Sequence, residues 1–258
     1  MDGIDGVLLD IDGVLVVSWE PIPGAAQAVE WLRARQIPFR LVTNTTTHSR
    51  DELGRTLRDA GIDVTGDEVV TAVVMTGAYL RSHHPGARVF LLSDGDPSAD
   101  LPEVELVGDN ADVVVVGGAG PDFSYERVNR AFGMLMDGAA FIGMHRNMYW
   151  RTKDGLQLDG GAFIAGLEEA TGRTAVICGK PSATFFHEAA ETLGTRPERT
   201  AMVGDDIVND VLGAQAAGLV GILVRTGKFM TTDLDRVSNQ PDHVIDSIAD
   251  LPRSLRPS

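Results

Sequence analysis

The sequence predicts an α/β protein: a doubly wound parallel sheet with a Rossmann-like core, interrupted by an inserted α/β cap domain. Three observations predict it. The opening run Gly6-Val7-Leu8-Leu9-Asp10 is short, apolar and ends in a carboxylate, as a central parallel strand does when its C-terminal end faces a crevice. A second block, from about Ala175 to Val224, alternates short apolar runs with helical patterns. The stretch between the blocks has strand and helix periodicity of its own. The expected division is 1–76 as the first part of the core, 77–174 as the insertion and 175–258 as the second part of the core.

The elements follow in order. After the strand ending at Asp10, Pro23 to Arg35 reads as a helix, with Pro near its start and Ala26, Val29 and Leu32 on one stripe. Phe39 to Thr43 is a second strand. The next helix opens at Ser49, with Glu52 completing a capping box, and stops before Gly61. In the insertion, strands are expected at Arg88 to Leu92 and Asp112 to Val116. A helix from Ser124 would place Tyr125, Val128, Phe132, Leu135 and Met136 on one face. Lys153-Asp154-Gly155 is a hairpin cue between Met148 to Arg151 and Leu156 to Leu158. Asp159-Gly160-Gly161 is either the return link to the core or a helix start. The second block reads as strand Ala175 to Ile177, helix Ser182 to Leu193, strand Thr200 to Val203, helix Asn209 to Ala217 and strand Gly221 to Val224.

Composition narrows the function classes. The chain has 258 residues, about 1.7 domains' worth at the usual size. Its 43% apolar and 23% charged residues are ordinary globular usage. Lys plus Arg is 22 against 37 Asp plus Glu, a formal charge of −15, opposite in sign to what binding a nucleic-acid backbone requires. A small anion would feel the same field, so an anion site here must carry its own cations or a metal. No apolar run approaches the roughly 20 residues that span a bilayer. The first residues, Met1 to Gly6, lack a secretion-signal pattern, and the single cysteine, Cys178, excludes an internal disulfide, so a cytoplasmic location is expected. Cys178 itself reads as a small buried apolar residue. His48, His83, His84, His187 and His243 show no spacing that suggests metal ligation.

Ligands in open α/β sheets bind beyond the carboxyl ends of the strands, so the residues there are the candidates. They are Asp10-Ile11-Asp12-Gly13, Thr43-Asn44, Gly179-Lys180-Pro181 and Gly204-Asp205-Asp206 with Asp210 beyond. Each set alone is an ordinary turn or helix approach. Together they crowd Asp10, Asp12, Asp205, Asp206 and Asp210 at one sheet edge, where two carboxylates about 4 Å apart repel by roughly 4 kcal/mol at an effective dielectric of 20. An all-oxygen donor set without Cys or His suits Mg²⁺ rather than zinc. Lysine occurs only at positions 153, 180 and 228, and Lys180 offers a cation beside a strand end.

Those four ordered sets resemble the motifs of the haloacid dehalogenase superfamily of phosphohydrolases, and the resemblance covers nearly the whole chain. The insertion resembles the α/β cap of the NagD-like subgroup. The stretch Val203 to Asp210, with Val224-Arg225-Thr226-Gly227-Lys228-Phe229 downstream, is similar in wording to the phospholysine phosphohistidine inorganic pyrophosphate phosphatase-like proteins. Asp12 departs from that phosphatase, which tends to have Ser there, so its unusual substrates do not carry over.

The resemblance implies a Mg²⁺-dependent phosphatase acting on a small phosphorylated metabolite. Asp10 would be the nucleophile and Asp12 the general acid and base. Asp10, the Asp12 backbone carbonyl and Asp205 would hold the metal, with Asp206 and Asp210 as supporting acids whose order the sequence does not set. Thr43, Asn44 and Lys180 would bind the phosphoryl oxygens. Asn147, just after an expected cap strand, is the candidate for leaving-group contact. Cap-mediated dimers occur in similar proteins, which makes a homodimer one expected assembly. Two other functions compete: a metal-free dehalogenase of the same superfamily, and a non-catalytic phosphate-sensing module. The acids at 12 and 205 argue against the first, and the intact Asp12 with a large cap argues against the second.

Overall fold

The structure, a computed structural model, describes residues 3–152 and 155–255. Contacts divide the chain into two compact units: one of residues up to 43, 50–70 and from 180 onward, the other of residues 44–49 and 71–179.

The first unit carries a six-stranded sheet in the order His243–Ile245, Val220–Val224, Thr200–Gly204, Gly6–Asp10, Phe39–Thr43, Val69–Thr71. The pairings from His243–Ile245 through to Phe39–Thr43 are parallel. Gly6–Asp10 sits centrally because its side chains can be buried on both faces: Val7, Leu8 and Leu9 are all 0% exposed. Leu9 lies opposite Leu41 on one side and Val203 on the other, inside one apolar cluster with Val29, Leu32, Leu53 and Leu57. The register therefore brings Asp10, Thr43 and Gly204 to the same end of the sheet.

The helices of this unit match the amphipathic patterns closely. Ala25–Ala34 buries Ala25, Ala28, Val29 and Leu32, and Ala26, partly buried, packs against the same cluster. Arg50–Asp59 and Ala183–Leu193 also form. Beyond Gly204 the expected single helix from Asn209 to Ala217 is replaced by a π-helix, Ile207–Leu212, followed by one short α-turn, Gly213–Ala216. The cause is local: Asp206 caps the segment, and its carbonyl oxygen accepts from both Asp210 N and Val211 N, which widens the turn. The edge strands Val69–Thr71 and His243–Ile245 are three residues each, too short to leave a period in the sequence.

The second unit has its own five-stranded parallel sheet, in the order Val176–Ile177, Ala140–Gly143, Val113–Val116, Arg88–Leu92, Glu105–Leu106. Helices Ala72–His83, Tyr125–Met136 and Gly160–Thr171 belong to it. The strand expected at Ala175 to Ile177 is corrected here. It is two residues long and pairs with Ala140–Gly143 rather than joining the sheet of Asp10. So short a run carries no information on which sheet it will join; a tertiary partner decides. The helix face is corrected at its two ends: Val128, Phe132 and Leu135 pack on the core together with Ala131 and Met134, whereas Tyr125 is 85% and Met136 57% exposed. Asp159-Gly160-Gly161 is a helix start, with Asp159 as its N-cap. The hairpin pairs Tyr149–Thr152 with Gly155–Leu158, and the rest of its cue, Lys153 and Asp154, lies outside the described residues. No helix among the described residues is long and apolar enough to cross a membrane.

Removing the methyl groups of Leu9 tests the central packing. Leu9→Ala should lower the free energy of unfolding by about 2–5 kcal/mol while preserving the far-ultraviolet circular dichroism, as read by urea denaturation. A loss below about 1 kcal/mol would contradict the placement of this strand at the centre.

Candidate active site

Asp10, the last residue of the central strand, is only 6% exposed, and Lys180 delivers its ammonium directly to it. Lys180 Nζ lies 2.6 Å from Asp10 Oδ1 and 2.7 Å from Asp210 Oδ1, and it also donates to the Val42 carbonyl at 3.4 Å. Lys180 is itself 3% exposed. Burial works against its charge, but the two carboxylates outweigh burial and hold its pKa above the ordinary lysine value.

Asp205 follows the neighbouring strand, and Asp210 rides on the π-turn. Asp10, Asp205 and Asp210 each offer a carboxylate oxygen within 4.8 Å of the others, and all three are buried. Gly204 makes this approach possible, because a Cβ there would stand 2.2 Å from the Asp210 Cβ. Burial, reinforced by the charge of Asp10, pushes the Asp205 carboxyl up to about 8. The same two causes push Asp210 up to about 6, and burial also raises Asp10. One oxygen of Asp205, Oδ2, accepts from Lys228 N at 2.8 Å; its Oδ1 is buried and accepts no hydrogen bond.

The remaining expected residues separate by position. Asp12 is exposed, two residues beyond Asp10 in a tight turn closed by Leu15 N to Ile11 O at 2.9 Å. Thr43 is 3% exposed at the end of the strand next to Asp10. Asp206 turns away from the cluster: its Oδ1 accepts from Val208 N and Asn209 N, and its Oδ2 from Asn209 Nδ2 at 2.6 Å and from Lys228 Nζ at 3.0 Å. These partners outweigh burial and hold its pKa below the usual carboxylate value. The geometry thus ranks Asp210 with the buried acids and Asp206 as a helix cap.

Asn44 and Asn147 belong to the second unit. Asn147 follows the strand Ala140–Gly143; its N–H donates to His145 Nδ1 at 3.3 Å and its carbonyl accepts from Gly161 N at 2.9 Å. Cys178 is buried, and burial pushes its thiol up to about 12, so it is an inert core residue. Sequence reasoning left Lys228 unassigned, although its position in the Thr-Gly-Lys stretch was the available signal.

The donor set fits a divalent cation. Three buried carboxylates gather together, two of them on the buried Lys180 ammonium, and a buried oxygen of Asp205 has no partner. Oxygen ligands of this kind are those that hard divalent cations take.

Comparison with known proteins places the chain among similar sequences. A family model described as haloacid dehalogenase-like hydrolase matches residues 7–107, and a HAD-hydrolase-like model matches residues 177–251. Haloacid dehalogenase-like hydrolase domain-containing protein 2 of Bos taurus is 40% identical over 92% of this chain and 90% of its own. Phospholysine phosphohistidine inorganic pyrophosphate phosphatase of Rattus norvegicus is 35% identical over 97% of this chain and 93% of its own. Among solved structures, a 4-nitrophenylphosphatase from Thermotoga maritima superposes with a TM-score of 0.92 at 31% identity, covering 99% of this chain and 98% of the other. NagD from E. coli does so with a TM-score of 0.87 at 28% identity, covering 96% and 98%.

Raised carboxyl pKa values make stability depend on pH with a definite sign. Unfolded carboxyls titrate near about 4, whereas Asp205 and Asp210 titrate at about 8 and about 6 when folded. The folded chain therefore holds protons that the unfolded chain has released, and the contribution of these groups to stability falls as pH rises from about 4 to about 8. Lys180→Met should deepen that fall. In EDTA at pH 8 it should cost about 3–5 kcal/mol in urea denaturation, because two buried carboxylates lose their counter-ion. At pH 5, where the acids can take protons, the cost should be clearly smaller. Equal costs at both pH values would contradict the charge balance.

Proposed function

The chain belongs to the haloacid dehalogenase-like hydrolases and is a phosphatase, and from that premise we propose that it is Mg²⁺-dependent and hydrolyses a small phosphorylated metabolite through an aspartyl phosphate on Asp10. The observation that carries this reading is the buried Asp10 carboxylate, held by Lys180 at 2.6 Å beside Asp205 and Asp210.

Asp10 attacks the phosphorus, forming an oxygen–phosphorus bond as the bond to the leaving oxygen breaks. Lys180 pins the Asp10 carboxylate so that little reorganisation precedes attack, and its fixed charge faces the transferring phosphoryl oxygens. The Thr43 hydroxyl and the Asn44 backbone are proposed to donate to those oxygens as well. Asp12, exposed beside the buried nucleophile, gives its proton to the leaving alkoxide. It then takes a proton from water as that water attacks phosphorus and releases Asp10. Asp10, the Asp12 carbonyl and Asp205 would hold Mg²⁺, with Asp210 supporting from behind. When bound, the ion supplies positive charge against the phosphoryl oxygens. The second unit is proposed as the cap that decides the leaving group, with Asn147 among its contacts.

The test is release of 4-nitrophenol from its phosphate. The parent should turn over with Mg²⁺ and stop in EDTA, and Asp10→Asn should lose on the order of 10³-fold or more in kcat. Asp12→Asn should also collapse turnover, with a smaller loss on a good leaving group such as 4-nitrophenolate, which needs little protonation. Activity that survives in Asp10→Asn would contradict the nucleophile, and activity indifferent to EDTA would contradict the metal. A screen of phosphorylated metabolites then identifies the substrate class, a preference of tenfold corresponding to about 1.4 kcal/mol in transition-state binding.

A further inference from the structure

Asp205 is not merely near the other acids; it is gripped. Gly13 and Gly227 both have left-handed backbones, with φ +85° and +65°, and both come close to its Oδ2. A Cβ at either glycine would stand 2.1 Å from Asp205 Oδ2, and a Cβ at Gly227 would also stand 2.5 Å from the Gly13 Cα. The two glycine segments are tied to each other: Thr226 Oγ1 donates to the Gly13 carbonyl at 2.5 Å. Lys228 N then donates to Asp205 Oδ2 at 2.8 Å, which leaves Oδ1 as the buried, unpartnered oxygen. One carboxylate oxygen is thus committed to the backbone and the other is presented. The Lys228 side chain does something separate. Its ammonium is 3.0 Å from Asp206 Oδ2 and its side chain is 61% exposed, so it acts as a cation at the rim.

We propose that Thr226-Gly227-Lys228 is a positioning clamp that fixes the Asp205 carboxylate, through the Lys228 backbone N–H and the two close glycines, so that Oδ1 faces the divalent cation. This rests on the metal reading above. Thr226, Gly227 and the Lys228 backbone are positioning groups that act through Asp205. The Lys228 ammonium opposes a second cation, because like charges repel. The clamp and the charge therefore predict opposite effects on metal affinity, which a merely structural role for the segment would not produce.

The experiment is isothermal titration calorimetry of MgCl₂ into the full chain, with unfolding temperature in EDTA as the second readout. Gly227→Ala should weaken Mg²⁺ binding at least tenfold, about 1.4 kcal/mol. Thr226→Val, which deletes one hydroxyl and keeps the backbone, should weaken it about threefold or more and stands in should Gly227→Ala fail to fold. Lys228→Met keeps the N–H and loses the charge, so it should bind Mg²⁺ as tightly as the parent or more tightly. Asp205→Asn should abolish binding. If the parent binds, Asp205→Asn does not, and both clamp variants bind like the parent, the clamp is overturned while the metal reading stands. Weakening by Lys228→Met equal to that of Gly227→Ala would also overturn it. A parent that binds no Mg²⁺ overturns the metal reading, and the clamp with it.

Discussion

The Lys180 ammonium set between Asp10 and Asp210 is the interaction on which the rest depends. Three buried carboxylates and one buried ammonium leave two negative charges in a space where water does not screen them. Burial, reinforced by that surplus, raises the Asp205 and Asp210 pKa values, and the surplus matches the charge of one divalent cation. On the proposed metal reading, the cluster takes up protons without a cation, and a bound cation lets the acids ionise together. The −15 charge of the whole chain has the same sign as this surplus, so an anionic substrate depends on local cations such as Lys180.

The fold provides the cluster by register. Burying Val7, Leu8 and Leu9 on both faces fixes where the central strand ends, and that end carries Asp10. The neighbouring strand ends at Gly204, so Asp205 emerges beside it. The π-turn beyond then brings Asp210 back over a glycine that has no side chain to obstruct it. Asp206, capping the same turn, is consumed by backbone N–H groups and by Lys228. Adjacent acids in the sequence thus have different fates because one faces the helix terminus and the other the sheet edge.

Much of this was legible in the sequence. The strands at Gly6–Asp10 and Phe39–Thr43 showed as apolar runs ending in polar residues, and the helix stripes were periodic. Asp10, Thr43 and Asp205 were readable as candidates because they sit at the ends of adjacent strands of one sheet, whereas Lys180 follows a strand of the other sheet and stood out as a rare lysine beside a glycine. Other features left no local trace. Val176–Ile177 is too short to declare its sheet, and the π-turn depends on Asp206 and Asp210 folding back on each other. The grip on Asp205 pairs residues more than 200 positions apart in sequence, Gly13 and Thr226, and only the fold reveals it.

The phosphatase reading therefore reduces to a claim about protons and metal sharing one set of oxygens. The most direct measurement is calorimetry of Mg²⁺ binding at pH 7 in buffers of different ionisation enthalpy, which counts protons released per cation bound. With Asp205 titrating at about 8 in the metal-free chain, the account predicts release on the order of one proton, and a binding enthalpy that varies with the buffer. A binding enthalpy independent of buffer would mean that the acids were already ionised, and would contradict the account at its base.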